Sequence, residues 1–85
     1  MSGTNFENVP LAFGKVLRSQ RLARGFSQEQ LGFEAGVQRN FISLIELGQN
    51  QPTISTILKL ANALGISAAF LVQMTEAELS AFKAD

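Results

Sequence analysis

Single glycines constrain this chain more tightly than any other feature. Gly25, Gly36, Gly48 and Gly65 each follow a run whose apolar residues recur at helical spacing, and each is a natural stop for such a run. No stretch alternates at period two for long enough to make a strand. Start signals agree with the stops. Pro10 suits a first helical turn, where a missing N–H goes unnoticed. Ser27 with Gln30 three residues on has the capping-box form. A third helix starts near Gln38 and ends before Gly48. Thr53 opens a fourth, in which Ile54, Ile57, Leu58, Ala61 and Leu64 keep helical spacing. Ser67 begins a short fifth segment, and Thr75 with Glu78 is a second capping box opening a last turn or two through Phe82. The pattern predicts an all-α domain of about five to six short helices. It divides into a flexible arm over 1–9, the helical domain over 10–73 and a helical extension over 74–85.

At 85 residues there is room for one domain with a thin core, and without cysteine no disulfide can staple it. Hydrophobic residues make up 46% of the chain and charged ones 16%, more apolar surface than so small a domain hides by itself. A contact with a partner would cover the excess. The apolar runs are too short and too often interrupted to span a bilayer, and MSGTNFENVP has no positive region leading into an apolar core. The expected location is cytoplasmic, with no membrane contact.

Catalysis finds little to work with. The chain lacks His, Cys and Tyr, which removes most metal clusters and nucleophile–base pairs. Its glutamates show no pairing that demands acid–base work, and its glycines occur singly instead of forming a phosphate-cradling loop. No enzyme, metal or cofactor is expected.

Net charge is zero, which at first argues against nucleic acid. The distribution of charge weakens that objection. Residues 1–45 carry five basic side chains (Lys15, Arg18, Arg21, Arg24, Arg39) against three acidic ones, whereas residues 46–85 carry two basic against four acidic. A molecule with one basic end can hold phosphate there. Lys15, Arg18 and Arg24 are candidates for such contacts, or are simply solvated surface.

The specific signal is FSQEQLGFEAGVQRNFISLIELG, residues 26–48. Two helices flank a tight turn at Gly36, with Leu31, Ala35, Val37, Ile42 and Ile45 facing inward. This is the helix-turn-helix layout, whose second helix enters the DNA major groove. Gln38, Arg39 and Asn40 open that second helix. Arg can bond guanine O6 and N7 together, and Asn or Gln can bond adenine in the same bidentate way. Ser43 lies one turn on and shares the face. The alternative for all four is a solvated helix front. Phe41 either packs on a thymine methyl or covers the junction between the third and fourth helices.

The segments RxxRGFSQEQL, AGV, ISLIELG, QP, ILKLANALGI and FLV, in this order between Phe13 and Val72, resemble the lambda repressor and Cro-like helix-turn-helix regulators, also called the xenobiotic-response-element family. The resemblance implies a compact five-helix domain whose third helix reads double-stranded DNA, usually as a homodimer on a palindromic operator. It implies that Gln28, in the first turn of the second helix, touches a phosphate and braces a base-reading side chain. It also implies that Arg21 pairs with Glu46 and ties the reading helix to the scaffold. Two departures stand out. Leu47 sits where relatives often carry a basic residue, and the loop Gln49-Asn50-Gln51 is neutral. Asn50 and Gln51 can still donate hydrogen bonds to phosphate but release fewer counterions. These departures favour a second class of function, a protein-interaction module of antitoxin or adaptor type that keeps the fold with weak or no DNA binding. Beyond Val72 the likeness fades, and Phe70, Met74, Leu79 and Phe82 either supply a two-fold contact or belong to a final helix folded back on its own core.

Overall fold

Side-chain caps open three of the helices. Ser27 is extended and its Oγ accepts the Gln30 N–H at 2.9 Å, starting α2 (Gln28–Ala35). Thr53 accepts the Thr56 N–H at 3.2 Å and starts α4 (Ile54–Leu64). Ser67 accepts the Phe70 N–H at 3.0 Å and leads into α5 (Ala68–Phe82). Pro10 lies in the first turn of α1 (Val9–Ala23). Gln38 precedes α3 (Arg39–Glu46) in an extended conformation, and its side chain makes no cap bond. The computed structural model describes residues 6–82, with the side chain of Phe82 excepted. Among these residues there are five α-helices and no strand.

Two boundaries differ from expectation. Phe6–Asn8 form a 3-10 turn running directly into α1, so the folded chain begins inside the stretch expected to be an arm. Residues 1–5 of that arm lie outside the described residues. The second difference is in α5, which runs unbroken through Thr75 where a new helix was expected. Thr75 is buried, and its Oγ1 donates to the Leu71 carbonyl at 2.8 Å. A threonine that satisfies itself on the preceding turn has no reason to cap.

Each helix contributes to the core. Leu17 of α1, Leu31 of α2, Ile42 and Ile45 of α3, Leu60 of α4 and Leu71 of α5 are the largest fully buried side chains. The helix α1 packs on α3 and α5, while α2 packs on α3 and α4. Between α2 and α3, Gly36 adopts a φ of 71°, and the Val37 N–H returns to the Gly32 carbonyl at 2.9 Å. That left-handed residue, cheap only for glycine, turns the chain sharply enough to lay α3 across the domain. At Gly14 the approach of α1 to α3 is backbone on backbone, since an added Cβ would stand 2.8 Å from the Glu46 carbonyl oxygen.

Two of the basic residues considered for phosphate serve the scaffold. Arg24 Nη1 donates to the Leu64 carbonyl at 2.7 Å, closing the C-terminus of α4, and its guanidinium lies 5.3 Å from the centre of the Phe26 ring. Lys15 Nζ lies 3.1 Å from Glu78 Oε2, joining α1 to α5 at the surface. No single helix among the described residues is long and apolar enough to cross a membrane.

Candidate nucleic-acid interface

A buried ion pair holds α3 from behind. Arg21 donates from Nε to Glu46 Oε2 at 2.6 Å and from Nη2 to Oε1 at 3.0 Å, while Nη1 donates to the Phe26 carbonyl at 2.9 Å. The two side chains are 7% and 3% exposed. Gln28 Nε2 adds a third bond to the same carboxylate at 3.0 Å. The fork of the guanidinium fits the carboxylate, and both buried charges are saturated. One residue from α1, one from α2 and one from α3 therefore meet at a single point. Sequence reasoning expected Gln28 to face a phosphate and brace a base-reading side chain. In the structure its amide donates to Glu46, and the residue is half-buried.

On the other side of α3 the front of the helix is open. Gln38, Arg39 and Asn40 are all exposed, and Ser43 is half-buried. At 3.6 residues per turn, Asn40 and Ser43 fall on the face opposite Ile42 and Ile45, with Arg39 at its edge. The Arg39 side chain makes no hydrogen bond or ion pair with another described residue. Arg39 is also the one charged residue on that outward half of α3. Phe41 is half-buried against the core, so the packing role describes it.

The remaining phosphate candidates lie around this helix without forming one cluster of contacts. Arg18 is exposed on α1, one turn from Gly14 and Arg21, in the stripe that packs against the end of α3. In the loop between α3 and α4, Asn50 is half-buried and Gln51 exposed. Among the described residues, no cluster of three acidic side chains could hold a metal ion.

The C-terminal set divides three ways. Leu79, expected at a two-fold contact, is 7% exposed and covered by its own chain, so that assignment is corrected: it lies on the inward stripe of α5 with Leu71 and Thr75. Met74 is half-buried against the core, and Phe70 is exposed. The Phe82 side chain lies outside the described residues. Exposed apolar surface also occurs on α4. Ile54 and Leu58 of α4 are 70% and 55% exposed, because Ile57, Leu60, Ala61 and Leu64 form the stripe that turns inward. Two interleaved apolar stripes on one short helix were the available signal.

This fold, with a short turn setting a polar-fronted helix across a braced scaffold, defines a helix-turn-helix protein. The chain belongs to the helix-turn-helix family, whose model matches residues 17–71. Among its relatives is the control protein C.BamHI of Bacillus amyloliquefaciens, 38% identical over 80% of this chain and 85% of that protein. Another is the prophage-derived HTH-type transcriptional regulator YonR of Bacillus subtilis, 35% identical over 78% of this chain. The match spans 61% of the length of YonR. Among solved structures, the restriction-modification controller protein C.AhdI of Aeromonas hydrophila superposes with a TM-score of 0.72 at 42% identity, covering 73% of this chain and 94% of that one. The controller protein C.Esp1396I, solved as a tetramer with its natural 35-base-pair operator, superposes at 0.77 with 25% identity, covering 85% and 95% of the two chains.

Proposed function

We propose that this protein is a sequence-specific transcription regulator that acts as a homodimer on a palindromic operator, with α3 in the major groove. The observation carrying this reading is the joint exposure of Gln38, Arg39 and Asn40 at the front of a helix immobilised from behind by Arg21 and Glu46. Their donors and acceptors suit base edges, and their backing suits the positioning that base readout requires. Relatives that are transcriptional regulators and controller proteins, one of them solved on its operator, support it. In this reading Ser43 adds a base contact, and Arg18, Asn50 and Gln51 hold phosphates. Gln28 acts through Glu46, as a positioning residue. The protein binds without catalysing and needs no cofactor.

Selection of bound fragments from random DNA would recover the operator, and a palindrome with half-sites about 34 Å apart is the expected outcome. Against that site, Arg39→Ala is expected to lose about 1–3 kcal/mol of binding and to relax choice at one base pair. An unchanged affinity for every duplex would favour the protein-interaction reading. Besides the neutral loop and Leu47, the exposure of Phe33 on α2 favours that alternative: it is 83% exposed, an aromatic ring outside the core of its own chain.

The proposed dimer contact is the apolar surface left outward on α4 and the start of α5, namely Ile54, Leu58 and Phe70. Leu58→Glu should then shift the sedimentation coefficient to that of a folded monomer, with the helical circular dichroism signal at low temperature unchanged. A variant that stays dimeric would exclude this face.

A further inference from the structure

The outward face of α3 is half hydrogen-bonding and half aliphatic. Asn40, Ser43 and Leu47 lie along one line on that face, and Leu44 flanks it. Leu47 ends the helix in a right-handed helical conformation, so it continues the line without bending away. It is 59% exposed, and Leu44 beside it is half-buried. A lone exposed leucine is ordinary on a protein surface. Two adjoining leucines that extend a row of polar side chains are not a scattered pair, and the one charged residue of that turn, Glu46, is turned inward onto Arg21. The rise from Asn40 to Leu47 is about 10 Å, or about three base-pair steps at 3.4 Å each. Over such a span the major groove offers a single apolar group, the thymine 5-methyl.

We propose that Leu47, with Leu44 beside it, is a specificity-determining residue that selects operators by the 5-methyl groups of thymine. This deepens the DNA-reading role proposed above and rests on it. In each half-site, Arg39 and Asn40 choose bases by hydrogen bonding, while the leucines choose by apolar contact further along the groove.

The test uses the full chain and the operator recovered by selection, with each thymine replaced in turn by deoxyuridine. That exchange removes the methyl group and leaves the hydrogen-bonding edge intact. Binding is expected to weaken about fourfold for each contacted methyl that is removed. Leu47→Ala, at an exposed position that spares the core, should bind the thymine and deoxyuridine duplexes more nearly alike, and Leu44→Ala with Leu47→Ala should abolish the difference. Equal binding of the two duplexes by the unaltered protein overturns the inference and leaves DNA recognition standing. So does a preference for thymine that survives in the double variant, or a recovered half-site without thymine. If the protein retains no DNA fragment at all, the DNA-reading role fails and the inference falls with it.

Discussion

Replacing Glu46 with alanine is expected to lower the unfolding free energy by about 3–5 kcal/mol, measured by urea denaturation. The reason is the burial of its partner. Arg21 is 6% exposed as a residue, and without Glu46 two of its donors lose their acceptors. The amide of Gln28 loses its acceptor in the same step. Removing both charges is a different experiment: Arg21→Met with Glu46→Leu leaves no buried charge unpaired, so it should recover much of the loss. A single Glu46→Ala variant with an unchanged midpoint would mean that the pair contributes nothing to holding α3. For a domain with a total stability of about 5–15 kcal/mol, the expected loss takes a large share of what exists.

The second large effect separates the two sides of α3. Ile45 is fully buried, and Ile45→Ala should cost about 2–5 kcal/mol, the range for deleting a large aliphatic side chain from a packed core. Ser43 lies two residues earlier on the opposite face and outside the core. Ser43→Ala should change the unfolding midpoint little, while weakening operator binding. Thermal unfolding followed by circular dichroism, with binding measured well below the midpoint of each variant, would show whether the two effects separate in this way. A Ser43→Ala variant as unstable as Ile45→Ala would contradict the assignment of faces.

Cap chemistry was legible because it is local. The hydroxyl oxygens of Ser27 and Thr53 meet their N–H donors three residues on, and reading a sequence along its length captures such pairs. The same letters misled at Thr75, where the pattern of a cap falls inside a helix whose hydroxyl has another acceptor. The polar front at Gln38, Arg39 and Asn40 was legible for a related reason: it follows directly from the turn at Gly36. What periodicity could not decide was which of two apolar stripes on α4 turns inward. The answer depends on how α2 and α5 lie against that helix, and Ile54 and Leu58 lost the contest. Nor could it supply the partner of Gln28, which comes from packing between residues 18 positions apart. Gly14 did leave a clue. A glycine in a helix interior costs about 1 kcal/mol against alanine, so its presence in α1 asks for a reason, and the carbonyls of α3 provide it.

That contact bears on how misfit would be shared between protein and DNA. With the carbonyls of Ile45 and Glu46 resting on the bare main chain of Gly14, there is no side chain between the helices to swing aside and let α3 tilt. On the proposed reading, a duplex of the wrong groove width meets an unyielding probe. The nucleic acid must then supply the deformation, so steps that the protein never touches will rank sites by their own stiffness.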